Sequence, residues 1–155
     1  MKKFLFAALV SLLIIPTYAT KIMPKKLSEL VKESDHVLIV KIEKITMIDG
    51  NGKEIKNLDA RTGPGLKNQI QYHVVVEKNG VLKTNAKKSP QKLIVGLWRM
   101  WHSSLGSHQD MKDKKVIMLL KGKNFERVYH GGFIRNLDEK KKIEQLLVQK
   151  NKAQK

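Results

Sequence analysis

The chain has 155 residues, with 31 Lys and Arg against 14 Asp and Glu, a net charge of +17 and no cysteine. That length suits one domain around one core. The missing cysteine excludes disulfides, a thiol nucleophile, a cysteine-ligated metal and the lipid-modified cysteine of a lipoprotein. The charge attracts anionic lipid, acidic glycans, nucleic acid or an acidic protein, although only Arg61, Arg99, Arg127 and Arg135 are arginines and scattered lysine equally serves to solvate a surface.

The amino terminus reads as an address. "MKKFLFAALVSLLIIPTYA" carries two lysines, an apolar run from Phe4 to Ile15, a breaking Pro16 and the small residues Thr17 and Ala19, the pattern of a signal peptide cleaved after Ala19. The apolar run falls short of the roughly 20 residues that span a bilayer. Removing 19 of the 155 residues leaves 136, and without Lys2 and Lys3 the charge is +15. The expected product is a periplasmic or secreted single domain over residues 20–150 with no transmembrane segment, ending in a frayed basic tail at 151–155. Nucleic acid is not an expected partner there.

In chain order, Pro24 opens a short helix to Ser34 with Leu27, Leu30 and Val31 as its apolar stripe. A first strand follows, whose apolar positions run Leu38, Val40, Ile42 and then change phase to Ile45, Met47. Side chains alternate strictly along a strand, so the phase change predicts a bulge near Glu43 and Lys44. Glycines and Pro64 punctuate a long loop from Asp49 to Asn68. The second strand, "QIQYHVVVEK", places Ile70, Tyr72, Val74 and Val76 on one face and is expected to turn at Asn79 and Gly80. The third, "KLIVGLWRM", uses Leu93, Val95 and Leu97. The fourth is "VIMLLK", and the fifth, "NFERVYH", follows across a turn at Gly122 to Asn124. Asn136 and Glu139 have capping-box spacing ahead of a final helix to Lys150 with the stripe Ile143, Leu146, Leu147.

Five strands, the first long and bulged, with an insertion at 97–113 between the third and fourth, predict a mainly β fold: a five-stranded OB-like barrel with a short N-terminal helix and a C-terminal amphipathic helix. In "KESDHVLIVKIEKI", "YHVVVEKNGVLKTN" and "DKKVIMLLKGKNF", a Ser-Asp pair enters the first strand, an aromatic opens the second, and Val81, Leu82 and Lys83 follow it. This pattern resembles the netrin-like and tissue-inhibitor-of-metalloproteinase barrels and similar exported bacterial domains. The resemblance implies a non-enzymatic barrel that binds something in the envelope or outside the cell. Those inhibitors act through an amino-terminal cysteine on the catalytic zinc. Here Thr20 stands at the predicted start, so metalloproteinase inhibition is not carried over.

The insertion "LWRMWHSSLGSHQD" holds both tryptophans and two of the five histidines. As a binding surface it offers Trp98, Arg99, Met100 and Trp101, residue types that dominate interface hot spots; alternation points Trp98 away from the core row and leaves Trp101 to plug the barrel mouth. As a catalytic site it offers Ser103 or Ser104, His102 or His108, and Asp110, but it lacks a nucleophile elbow. "HGGF" at His130 to Phe133 reads more simply as a turn than as an oxyanion loop. As a metal site, His102, His108 and His130, completed by Met100, Met111 or Asp110, suit copper or zinc. The preferred reading is a small, basic, non-enzymatic binding or inhibitor-type protein without cofactor that contacts a protein or anionic envelope partner. The alternative is an envelope metal-binding protein.

Overall fold

A computed structural model describes residues 23–152, with side chains to 149; the predicted signal peptide lies outside the described residues. The fold is mainly β with a short helix at each end. Helix α1 is Leu27–Glu33, followed by β1 (His36–Ile48), β2 (Glu54–Ile55), β3 (Arg61–Thr62), β4 (Gln69–Lys83), β5 (Lys92–Gly96) and β6 (Ser103–Ser104). A 3-10 helix at Gly106–Met111 leads to β7 (Lys115–Lys121), β8 (Glu126–Arg127), β9 (Ile134–Arg135) and, through a 3-10 turn at Leu137–Glu139, to α2 (Lys140–Lys152). Among the described residues no helix is long and apolar enough to cross a membrane.

Seven strands form one sheet in the order β5-β4-β1-β7-β8, with β2 added to β1 and β9 added to β7, while β3 and β6 form a separate antiparallel pair. The central strand β1 therefore carries the sheet. Its register against β4 slips between Ile42 and Lys44, which is the bulge that the phase change implies; Val37, Leu38, Val40, Ile42 and Met47 are all buried. Val116 to Leu120 of β7 are buried without alternation. Such a run means cover on both faces, and α1 lies on β7 and against α2. Each of these side chains stabilises the fold by roughly 1.5–3 kcal/mol.

Several expectations are corrected. The sheet does not close into a five-stranded barrel: no backbone ladder joins its edge strands β5 and β8. They are bridged instead by a side chain, Arg127 Nη1 donating to Gly96 O at 2.9 Å. The second strand does not turn at Asn79 and Gly80 but runs on to Lys83, because Asn79 adopts φ 62° and accommodates extra residues as a bulge. The third strand ends at Gly96 rather than Met100, where Gln69 Nε2 takes the Leu97 carbonyl at 3.1 Å. The long loop holds β2 and β3, and the fifth strand shrinks to two residues. Val128 N still bonds Leu119 O, and Leu119 N bonds Phe133 O, so residues 129–132 leave the sheet and return. The capping box does not form, since Glu139 pairs with Arg135 at 2.5 Å and Asn136 makes no side-chain cap bond. The helix α2 continues past Lys150 to Lys152.

Gly80 shows how tight the second bulge is. A Cβ there would lie 2.6 Å from Ile39 O and 2.8 Å from Glu77 O, both backbone atoms that cannot swing aside. Gly80→Ala is therefore expected to cost about 3 kcal/mol or more, the upper end for overpacking, in urea unfolding. Gly65→Ala, at φ +80° with no atom within 4 Å, should cost only about 1–2 kcal/mol; equal losses at the two sites would refute the crowding argument.

Candidate functional site

Three excursions from the sheet meet over Ile70 and Tyr72 of β4. The first is β3, held to β6 through Arg61 opposite Ser104 and Thr62 opposite Ser103. The second runs from Leu97 to the 3-10 helix, and the third is the 129–132 departure from β7. Between them lies a cleft of about 250 Å³, walled by Trp98, Trp101, His130 and Phe133 over a floor that includes Thr62, Tyr72, Ser103 and His108. No carboxylate is among its lining residues.

The floor is a directed chain of hydrogen bonds. Tyr72 Oη meets His108 Nδ1 at 2.7 Å, His108 Nε2 meets Ser103 Oγ at 2.6 Å, and Ser103 Oγ meets Ser107 Oγ at 3.0 Å. Ser107 Oγ donates to the Ser104 carbonyl at 2.8 Å. A carbonyl only accepts and each hydroxyl has one hydrogen, so the last bond fixes all the others. Ser103 gives its proton to Ser107, His108 gives its Nε2 hydrogen to Ser103, and Tyr72 gives its hydrogen to Nδ1. Burial pushes the Tyr72 hydroxyl up to about 12, keeping it a donor. Burial also holds His108 below its ordinary 6.5, so the ring is neutral at pH 7 with one hydrogen, as the chain requires.

This arrangement answers the catalytic reading in part. Ser103 and His108 are brought together, yet in this direction His108 has no free lone pair with which to take the serine proton. The group behind the imidazole is Tyr72. Asp110 is exposed and makes no hydrogen bond or ion pair with a described residue. Ser104 is committed to the β3–β6 pair and receives Ser107 N at 3.2 Å.

The three metal candidates are separated in role. Both ring nitrogens of His108 are engaged. His102 is exposed and packs on Gly63, where an added Cβ would lie 2.7 Å from its Nδ1. His130 stacks on Trp98 with ring centroids 4.2 Å apart and planes inclined by 21°. Among the described residues no group of three His, Asp or Glu is placed to hold a metal ion.

Of the binding candidates, both tryptophans line the cleft and Arg99 and Met100 stand exposed beside it. Trp101 does not plug the mouth as expected, and Trp98, which faces away from the core row, is the more covered of the two. Trp98 is half-buried beneath His130, whereas Trp101 is 52% exposed on the rim, the two indole centroids 6.2 Å apart with their planes inclined by 80°. The turn Trp98–Trp101, closed by Trp101 N on Trp98 O, and Thr62 Oγ1 donating to Trp101 O at 2.6 Å hold that rim. Arg127 was not singled out from sequence. Burial and the neighbouring Arg99 charge lower its pKa, while Glu126 opposes the shift. Its charge and, first, burial hold His130 below 6.5. Tyr72 was legible only as a core residue, although a lone hydroxyl in an inward row must find a partner.

No family model matches the chain, and no curated protein matches it. What the cleft does is therefore read from its own chemistry.

The lowered His108 and His130 values set a sign. In the unfolded chain both imidazoles take up a proton near 6.5, before the folded ones do, so their stabilising contribution is whole above 6.5 and is lost as pH falls from there through their folded values. Melting temperature should decline between pH 7.5 and 5.5. His108→Gln keeps one acceptor and one donor without titrating, and should make that decline shallower. An unchanged slope would remove His108 from the account.

Proposed function

We infer that the chain is a small, basic, non-enzymatic binding protein acting outside the cytoplasm, with the Trp98–Trp101–His130 cleft as its contact surface. The observation that carries this reading is the convergence of both tryptophans of the chain on one concave, mostly apolar site with a few oriented polar groups, the ordinary composition of a binding pocket. The spent proton of Ser103 favours holding over hydrolysis. The strand order β5-β4-β1-β7-β8, with β5 and β8 drawn together by Arg127, supports an OB-like ancestry for the open sheet, and OB-like sheets present ligand sites through their loops. Export rests on the Met1–Ala19 pattern, and the partner is a protein or an anionic component of the envelope.

Two measurements test this. The intact mass of protein taken from its native host should equal that of residues 20–155; a mass retaining residues 1–19 would overturn export. Trp101→Ala removes an exposed ring without opening the core, so its melting temperature should stay within about 2 °C of the parent. Its binding to immobilised envelope extract should fall by at least about thirtyfold, the scale of a hot-spot loss near 2 kcal/mol. Undiminished binding would move the contact surface elsewhere.

A further inference from the structure

Hydrogen-bond donors are to spare on the walls of the cleft, at Trp98, Trp101 and His130, and beside it, at Arg99 and Arg127. Neither indole N–H of Trp98 and Trp101, nor the ring of His130, nor the Arg99 guanidinium is hydrogen-bonded to a described residue, and Arg127 Nε is buried with no hydrogen-bond partner among the described residues. A second depression, lined by Glu126, Arg127, Val128, Tyr129 and His130, shares His130 with the cleft. Arg127 spends only Nη1 on the Gly96 carbonyl. The exposed Arg99 and His130 and the remaining guanidinium hydrogens of Arg127 offer donors to a ligand that brings acceptors.

Size and charge narrow the class. A dry cavity of about 150 Å³ holds benzene, so a cleft of about 250 Å³ holds one ring and a small substituent. The walls are flat: His130 on Trp98, and Trp101 edge-on. Arginine's planar fork matches a planar oxyanion, while the Glu126 carboxylate in the shared depression penalises a doubly charged group and so favours carboxylate over phosphate.

We propose that the cleft binds a small ring-bearing carboxylate, with its ring against Trp98 and Trp101 and its carboxylate toward the rim formed by Arg99, Arg127 and His130. This rests on the binding reading above and names the ligand class for that site. The ligand is either an aromatic acid or an acidic sugar such as the end of a glycan, since a planar ring and the C–H face of a pyranose both pack on an indole and each carries one carboxylate.

Trp98 and Trp101 are the two tryptophans of the chain, so its intrinsic fluorescence reports on the cleft. The full-length mature protein is titrated at pH 7.5 with benzoate and glucuronate, and with their neutral isosteres benzamide and glucuronamide. Saturable change is expected with at least one acid, at about tenfold or greater preference over its neutral partner. Benzoate alone identifies an aromatic acid, glucuronate alone an acidic sugar, and both together the class. Arg99→Gln, on an exposed side chain, should erode the preference; Arg127→Lys keeps the charge but not the fork, and should erode it further with its melting temperature as a check on folding. No saturable change with either acid, or equal response to acid and neutral isostere, overturns the proposal. If Trp101→Ala still abolishes partner binding in that case, the binding reading stands and only the ligand class falls.

Discussion

Tyr72 lies in the inward row of β4 between Ile70 and Val74, and its hydroxyl has to be satisfied 2% from full burial. It does so by giving its hydrogen to His108, a residue of the insertion 36 positions further on. That single bond ties a loop to the sheet and joins it to the hydrogen-bond chain whose direction the Ser104 carbonyl fixes at the far end. Through Ser103 it reaches β6, through β6 it fixes β3, and through Thr62 it holds the Trp101 rim. An unpaired buried hydroxyl would cost about 1–3 kcal/mol, so the floor of the cleft and the stability of the sheet are one arrangement.

The sheet supplies the rest by what it leaves unpaired. Because β7 is paired on its far side by two short strands rather than one long one, residues 129–132 are released to stand over β4 and carry His130. Because β5 stops at Gly96, Trp98 and Trp101 turn out of the sheet plane. The edges β5 and β8 approach without a ladder, and the half-buried Arg127 between them is both the seam of the fold and a part of the rim. A structural cation whose buried Nε–H has no partner among the described residues, beside a cleft lined by no carboxylate, is where folding and recognition share a residue.

Much of this was legible in the sequence, for identifiable reasons. Strict alternation exposed the β1 bulge, because a strand cannot change phase without an extra residue. The apolar rows Ile70, Tyr72, Val74 and the run Val116–Leu120 marked the core. The continuation of β4 past Asn79 was hidden because Asn-Gly signals a hairpin turn and a bulge alike. The closed barrel was over-read: five strands do not specify whether the last meets the third by backbone or by one arginine. The site residues Trp98, Trp101, His108 and His130 were nameable from composition, but not their pairing, since the Trp98–His130 stack and the Tyr72–His108 bond join segments whose approach depends on sheet order. The spacing of Asn136 and Glu139 suggested a capping box, and Arg135 won the carboxylate because a charged, forked donor outcompetes a backbone N–H.

The direction of the hydrogen-bond chain is what separates a cleft that holds from one that cleaves, and nitrogen-15 NMR of the histidine side chains reads it directly. At pH 7.5 the account predicts His108 with a bare Nδ1 and a protonated Nε2. A protonated Nδ1 with a bare Nε2 facing the Ser103 hydroxyl would be the arrangement of a general base against a nucleophile, and would contradict it.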